Sequence, residues 1–466
     1  MMRTFVIPTL SAALLWGPVV LAEPPVEDPM LAPAPRPPHV LSSWEEAYRL
    51  LQERSTDLES AEASLLRAEG RWRQALSELL PFLQASVAVG IDVLHPSIPL
   101  GSVGGVSTFG GAATDSARTP TSPLGTAALS LSQTVFDAAA YRGLSSAQAN
   151  TRSAEANLSD VHRRITQGLA RALVAVVSAE RAAEINRTSL RQALERSALT
   201  ERTFELGAAT QLDVARVNQD VAVARSALIT GDEQLRRTRE ALGLALGIDG
   251  EVGVVPEFVL DGLVAQTHQA CRPLAHDELR PDLVAAREQV EAAAQSRAQA
   301  AAGYLPRVDL ASNIGAFTTT PGPGRVSLWS VAAVLSVPIW EGGLRRGLIE
   351  ERAGAEAAAV VAAEARRREV FFEVERARRG EEVARKLVEA AQSARELALQ
   401  TDRLTRRSFE IGRATSLELV QTAVNLRQAE LNLALREFEW VQARLDAFLT
   451  RSLCREWGVD HLGARP

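Results

Sequence analysis

Apolar residues along most of the chain recur every three or four positions, which is the period of an α-helix. A first such segment begins after a capping serine, Ser42 or Ser43, and runs to about Leu79, just before a proline. A second begins near residue 137 and continues past Phe204 without a proline. It would be roughly 100 Å long at about 1.5 Å per residue, and a helix of that length indicates coiled-coil packing.

Four shorter segments alternate apolar and polar residues with a period of two, which is the pattern of a β-strand with one apolar face. They predict strands at about 82–93, 126–136, 307–317 and 327–340. A stretch from about 96 to 124, rich in Gly, Ser, Thr and Pro, indicates a long loop between the first two. Each strand has close to the roughly 9 to 11 residues that a tilted strand needs to cross a bilayer.

An internal duplication accounts for this order of elements. The segment from Phe204 to Asp213 recurs from Phe409 to Glu418, an offset of 205 positions (409 minus 204). A second pair of segments, 131–144 and 335–348, agrees at an offset of 204 (335 minus 131). Each half therefore has the order helix, strand, loop, strand, very long helix, tight turn, helix.

These patterns divide the chain into a series of segments. They are a signal peptide at 1–22, a Pro-rich tail at 23–41, a first structural repeat at 42–250, a linker or equatorial segment at 251–276, a second structural repeat at 277–450 and a C-terminal tail at 451–466. Arg3 precedes an apolar run from Phe5 to Leu21, which predicts export and cleavage after Ala22. No cysteine follows that run, so we expect no lipid anchor.

The remaining membrane signal lies in the strands. Beyond the signal peptide, no stretch of about 18 apolar residues predicts a membrane-spanning helix. Four strands cannot close a barrel, and an open edge in hydrocarbon leaves backbone groups unpaired at several kcal/mol each. If the strands span a membrane, the chain must therefore oligomerise, and dimers and trimers are the small solutions.

Composition excludes several function classes. Lys and Arg number 51 against 57 Asp and Glu, and this net charge of -6 argues against a dedicated nucleic-acid binder. Two cysteines are too few for a disulfide scaffold or a zinc cluster, and the six histidines are scattered without metal-ligand spacing. We find no catalytic constellation, so we expect neither an enzyme nor a cofactor nor a metal.

Several motifs, in this order, resemble the TolC family of outer-membrane efflux proteins over roughly 44–449. They are the duplicated Phe-x-x-Gly turn followed by Leu-Asp or Leu-Glu, Arg280-Pro281-Asp282-Leu283, Tyr304-Leu305-Pro306, and the segment Pro338–Gly343. The first half departs from the family in having Asp137-Ala138-Ala139 where glycines are usual. The resemblance implies a mainly α trimer with a 12-stranded outer-membrane β-barrel, continued by an α-helical coiled-coil tunnel through the periplasm.

The function that the resemblance implies is that of an exit duct in a tripartite efflux system, passively exporting small molecules. Its partners would be two further copies of the chain, a periplasmic adaptor, an inner-membrane transporter and outer-membrane lipid. A type I protein secretion duct is an alternative that the sequence does not separate from this one. A structural surface coiled coil is a further alternative, against which the duplicated hairpins argue.

Two turns, at 204–213 and 409–418, would form the periplasmic tip, and we name them the tip turns. Each carries a glycine where a helix C-terminus favours a left-handed backbone, followed by the Thr-x-x-Asp or Thr-x-x-Glu spacing of a capping box. The resemblance implies that the adaptor would dock on the residues of these turns, which are Leu206, Gly207, Ala208, Ala209, Thr210, Ile411, Gly412, Arg413, Ala414 and Thr415. Asp213 and Glu418, with Gln421 as a neutral companion, would ring the periplasmic entrance; helix capping alone is the alternative.

Two tryptophans and two cysteines each allow two interpretations. Trp329 and Trp340 bracket the fourth predicted strand, as an aromatic girdle at a membrane interface would, and packing against the helices is the alternative. Cys271 and Cys454 fall outside the long helices. They either pair in the oxidising periplasm or remain two buried thiols.

Overall fold

The computed structural model describes residues 28–91, 93, 119–120, 123–256, 258, 260–320 and 327–454. The predicted signal peptide lies outside the described residues. So do positions 23–27 of the Pro-rich tail, most of the predicted loop at 96–124, and positions 455–466 of the C-terminal tail.

Helices dominate the described part of the chain. They are α1 (Trp44–Arg54), α2 (Thr56–Ser77), α3 (Ala138–Glu205), α4 (Gln211–Ala245), α5 (Leu260–Ala270), α6 (Pro281–Ala302), α7 (Leu344–Glu410) and α8 (Ser416–Leu449). The strands are β1 (His39–Leu41), β2 (Phe82–Gly90), β3 (Thr119–Pro120), β4 (Leu124–Phe136), β5 (Val252–Val254), β6 (Cys271–Pro273), β7 (Arg307–Phe317), β8 (Thr319–Thr320), β9 (Ser327–Ser336) and β10 (Ser452–Cys454). Among these residues, no helix is both long and apolar enough to cross a membrane.

The helix predicted from Ser42 or Ser43 to Leu79 is in fact two helices. Ser43 caps α1, its hydroxyl accepting a bond from the N–H of Glu46 at 3.3 Å. At Ser55 the backbone becomes extended, and the Ser55 hydroxyl accepts from the N–H of Leu58 at 3.4 Å to begin α2. Because a serine hydroxyl satisfies the free N–H groups of a new helix, the break costs little.

Two strands are shorter than the alternating pattern predicts. β2 ends at Gly90 rather than near 93, because its last partner, Leu124, is the first residue of β4. β9 ends at Ser336 rather than near 340, shortly before Pro338, which has no N–H for the ladder. Strand ends therefore depend on pairing as well as on alternation.

The main sheet and the helices share one order. Strands β2, β4, β7 and β9 pair antiparallel in that sequence. Helix α2 leads into β2, β4 into α3, α6 into β7, and β9 into α7. These helices pack in the matching order, α2 on α3, α3 on α6, and α6 on α7. We call this arrangement the two-tier wall; its open edges are β2 with α2, and β9 with α7.

One face of the sheet is apolar and the other is polar. Across the four strands, one row of directly opposed residues is Ala85, Leu129, Ile314 and Trp329, and the next row is Gln84, Ser130, Asn313 and Ser330. Successive residues of a strand point to opposite faces, so the rows lie on different sides. The apolar face is exposed, with Val87 81% and Trp329 72% accessible.

A hydrophobic cluster lies where the short elements meet the long helices, and we call it the equatorial cluster. It contains Trp44 and Leu51 of α1, Leu173 of α3, Leu242 of α4 and Leu445 of α8, all almost fully buried. The parallel pair β1 and β5 and the antiparallel pair β6 and β10 lie beside it. The cluster joins segments from both halves of the chain.

Residues 28–38 form an N-terminal strap along α3 and α4. Asp28 binds Arg225 at 2.8 Å, and the C=O of Pro35 accepts from Arg239 Nη1 at 3.0 Å. Met30 and Leu31 pack against a cluster of buried apolar side chains that α3 and α4 contribute. The strap therefore contacts the first long hairpin over the distance from Arg225 to Arg239.

Candidate functional site

The first tip turn closes α3 with a double hydrogen bond. The N–H of Gly207 donates to the C=O of Phe204 at 2.8 Å, and the N–H of Ala208 donates to the C=O of Thr203 at 2.9 Å. Gly207 has a φ of 76°, the left-handed conformation expected from the sequence. This is a Schellman turn, which satisfies carbonyls left free at a helix end.

The second tip turn repeats that geometry. Gly412, with a φ of 71°, donates to the C=O of Phe409 at 2.9 Å, and Arg413 donates to the C=O of Ser408 at 2.8 Å. Each bond lies 205 positions after its counterpart (412 minus 207 and 413 minus 208). The repeated sequence thus gives a repeated backbone structure.

Both predicted capping boxes are confirmed. Thr210 accepts at its hydroxyl from the N–H of Asp213 at 3.2 Å, and Asp213 Oδ2 accepts from the N–H of Thr210 at 3.0 Å. Thr415 and Glu418 make the same pair of bonds, at 3.2 Å and 2.7 Å. A capping box satisfies two free backbone donors reciprocally. The capping role of both carboxylates is therefore directly visible.

The two tip turns also touch each other. The hydroxyl of Ser416, which is buried, donates to Asp213 Oδ1. Arg216 Nη1 lies 3.7 Å from the same oxygen. Ser416 was not among the site residues predicted from the sequence. The duplication offers a signal, because the position of Ser416 corresponds to Gln211 in the first half and the two turns differ there.

The two carboxylates have different surroundings. The hydrogen bond from Ser416, followed by those from Thr210, lowers the pKa of Asp213 below its usual range. Hydrogen bonds from the backbone and side chain of Thr415 lower the pKa of Glu418. Both groups carry full charge near neutral pH. Glu418 Oε1, unlike either oxygen of Asp213, has no hydrogen-bond partner among the described residues.

Gln421 lies one helical turn beyond Glu418 and is exposed. Its amide nitrogen donates to Asn425 Oδ1 at 3.0 Å rather than to a carboxylate of the tip. Within the described residues, no three His, Cys, Asp or Glu side chains lie close enough together to hold a metal ion.

Exposed apolar side chains flank the tip turns. Leu206 and Ile411 are 77% and 65% accessible. Leu212 and Leu417, the second residues of α4 and α8, are also exposed. We name these four residues the tip patch. Leu212 and Leu417 were not predicted as site residues, although both lie within the repeated segment. Ala209 and Ala414, which were also predicted to dock the adaptor, take part in the backbone hydrogen bonds of the turns: their N–H groups donate to the C=O of Thr203 and Ser408.

Trp329 lies in β9 on the apolar face, and its Nε1 donates to Ser312 Oγ at 3.0 Å. Trp340 lies beyond the end of β9 and is 86% accessible, so it does not pack against the helices of its own chain. Cys271 and Cys454 are opposed in the β6 and β10 pair and are joined by a disulfide. The structure thus selects one of the two alternatives left open for the cysteines.

The Arg280-Pro281-Asp282 motif anchors α7 to α6. Pro281 occupies the first turn of α6, where a missing N–H is harmless. The buried Arg280 binds Asp282 at 2.8 Å and Glu373 of α7 at 3.0 Å, and Arg366 of α7 binds Asp282 at 2.8 Å. Burial by itself would raise the pKa of Asp282. The hydrogen bond from Arg280 and the nearby arginine charges lower it by more than burial raises it, so the carboxylate stays ionised.

A sequence model of the family described as outer membrane efflux protein matches residues 47–248 and 276–447. Outer membrane protein OprJ of Pseudomonas aeruginosa is 28% identical over 214 residues, which span 43% of this chain and 44% of that relative. The chain thus matches less than half the length of this curated relative.

Solved structures share the fold. The outer membrane protein VceC from Vibrio cholerae superposes with a TM-score of 0.70 at 18% identity, covering 87% of this chain and 95% of VceC. The open state of the MtrE outer membrane channel of Neisseria gonorrhoeae gives a TM-score of 0.69 at 17% identity, covering 87% and 88%. At these identities the likeness concerns the fold.

Proposed function

The chain belongs to the outer membrane efflux protein family, and from this premise we propose that it is the exit duct of an efflux assembly. In this proposal three copies close a 12-stranded barrel in the outer membrane, and their helices continue it as a coiled-coil tunnel through the periplasm. A periplasmic adaptor and an inner-membrane transporter deliver small molecules to the tip. The duct itself performs no chemistry.

The observation that carries the proposal is the two-tier wall. Among the described residues of one chain, its sheet exposes an apolar face, and the edge strands β2 and β9 are each paired on one side only. Hydrocarbon accepts the apolar face but not the unpaired edges. Strands β2 and β9 lie at opposite edges of the sheet and run in opposite directions, because each of the three pairs in the series is antiparallel. Strand β9 of one copy can therefore pair antiparallel with β2 of the next. Helix α7 would then pack on α2 of that copy.

The mass of the detergent-extracted protein tests this assembly. Light scattering, corrected for bound detergent, should give three mature chains for protein taken from the outer-membrane fraction. A monomer recovered in water without detergent would contradict the proposal.

The tip supports the entry role. The tip patch offers exposed leucine and isoleucine side chains on rigid, capped turns, which suits docking of an adaptor helix end. We assign the cation-favouring ring mainly to Glu418, because its Oε1 accepts no hydrogen bond among the described residues, while both oxygens of Asp213 accept bonds from Ser416 or Thr210. Carboxylate rings select cations in channels.

Reconstituted channels of Glu418→Gln and Asp213→Asn test the ring. We expect Glu418→Gln to lower the preference for K⁺ over Cl⁻ more than Asp213→Asn does. Gln421→Glu should raise the preference if the ring lies at the narrowest point. Equal permeability ratios in the wild type and Glu418→Gln would remove the ring from the proposal.

A further inference from the structure

A second polar site lies in the two-tier wall, far from the tip. A groove of about 630 Å³ runs between α2 and α3 and reaches α6. Its polar lining includes Arg67, Arg71, Arg164, Asn150, Asn157 and Gln289. No aspartate or glutamate is among the described residues that line it. The groove therefore combines cationic donors with amide donors and lacks an acidic side chain of its own.

The charges of the groove are only partly neutralised. Arg164 Nε lies 3.0 Å from Asp160 Oδ2, so that cation is paired. Arg67 and Arg71 stand one helical turn apart on α2 and have no ion-pair partner within 4.0 Å among the described residues. Two adjacent guanidinium groups without carboxylates favour a ligand with several anionic oxygens, because each can donate two parallel bonds.

Helix geometry places this groove on the side of the wall opposite the equatorial cluster. Leu173 of α3 points into that cluster, and Arg164 precedes it by nine residues (173 minus 164). At about 100° per residue, nine residues turn the side chain by about 180°.

The positions of the short helices and strands indicate which side of the proposed tunnel wall carries the groove. Helices α1 and α5 and strands β1 and β5 cover the cluster side of the long helices. If three walls close into a tunnel, these bulky elements can only lie on its outside. The groove then faces the interior, and this step rests on the proposed function.

We propose that the groove between α2 and α3 is an anion-binding subsite on the inner wall of the duct. It binds solutes that carry phosphate, carboxylate or sulfate groups through Arg67 and Arg71, with Asn150, Asn157 and Gln289 as neutral donors. Three copies give three such subsites above the carboxylates of the tip. A solute would thus leave an acidic entrance and enter a basic stretch of the wall.

Tripolyphosphate is a suitable probe, applied to both sides of channels recorded in about 0.1 M KCl so that screening stays moderate. We expect it to reduce the wild-type current. In the double variant Arg67→Gln with Arg71→Gln, the half-blocking concentration should rise at least about tenfold, the loss of one charge-assisted contact. The matched control is Arg73→Gln on the same helix, whose side chain is 71% exposed and absent from the groove lining.

The outcomes separate this inference from the proposed function. A chain that forms no conducting channel fails the proposed function before any anion is added. Titration calorimetry with tripolyphosphate on the detergent-solubilised protein then tests the groove without conductance. A wild type that neither binds nor is blocked overturns the inference. So does a double variant that responds like the wild type, or an Arg73→Gln channel as weakened as the double variant.

Discussion

The two long hairpins have the same sequence plan but are held together differently. In the first, α3 and α4 are joined by Arg196 and Asp220 at 2.6 Å, both buried, and by Ser197 and Asn218 at 2.7 Å. In the second, α7 and α8 are joined by Arg395 and Glu430 at 3.7 Å, with both side chains more than one-third exposed.

Burial shows the same contrast. The buried residues of α7 are Val370, Ala384, Val388, Ala391 and Asp402, whereas α3 buries residues along its whole length. The N-terminal strap adds a further contact to α3 and α4. The contrast arises because α3 lies between α2 and α6 in the two-tier wall, whereas α7 lies at its edge. The surface of α7 therefore remains open for other copies of the chain in the proposed trimer.

Asp220→Ala should break this contrast most strongly. It leaves Arg196 buried without its carboxylate, which costs about 3–5 kcal/mol. We expect hydrogen exchange in α3 and α4 to accelerate. Glu430→Ala in the second hairpin is the control, since an exposed pair contributes only about 0–1 kcal/mol. Equal acceleration in both variants would contradict the contrast.

Leu31→Ala tests the strap. Truncating this partly buried side chain should destabilise the contact of the strap with α3 and α4 by about 1–2 kcal/mol, below the cost at a fully buried site. Faster exchange should be confined to the first hairpin. Val40→Ala, at an exposed position just after the strap, should leave exchange there unchanged.

Ser416→Ala sharpens the comparison where the hairpins meet. It removes the hydrogen bond that contributes most to the lowered pKa of Asp213, so that pKa should rise towards its ordinary value of 3.8. A net loss of about 0.5–1.5 kcal/mol is expected for one hydrogen bond. The melting temperature should fall less when the same substitution is made in an Asp213→Asn background. Identical decreases would show that Ser416 does not act through Asp213.

Acidification should have the smallest effect over the physiological range. A carboxyl group whose folded pKa is lowered stabilises the fold above its ordinary pKa, and that stabilisation is lost as pH falls through the folded pKa. The ordinary values for Asp213 and Glu418 are 3.8 and 4.5. Melting temperature and cation preference should therefore change little through titration of these two groups between about pH 7 and 5. A steep loss of cation preference above about pH 5 would show that other groups form the ring.

Much of the fold follows from local patterns in the sequence. The unbroken helical period predicts α3, and the capping spacing predicts how α4 and α8 begin. The break between α1 and α2 at Ser55 was not predicted, because a serine within a helical period is ordinary. The end of β2 was not predicted correctly, because it depends on where its partner strand β4 begins.

The candidate site was predictable only in its local parts. The bond between Ser416 and Asp213 joins residues 203 positions apart, and no local pattern contains that contact. The pairing of Cys271 with Cys454 was likewise open until both halves were folded together. Arg67 and Arg71 look like ordinary surface charges of α2 in the sequence, because the residues of α3 and α6 that complete the groove around them are distant along the chain.

In the proposed outer-membrane duct, the disulfide would also distinguish completely exported chains from incompletely exported ones. Its two cysteines are 183 residues apart and enclose the whole of α6, α7 and α8. The bond can form only after Cys454 has reached the same compartment as Cys271. A chain stalled within α7 or α8 would keep Cys271 as a free thiol, so a thiol-reactive label would mark incompletely exported chains and leave finished ones unlabelled.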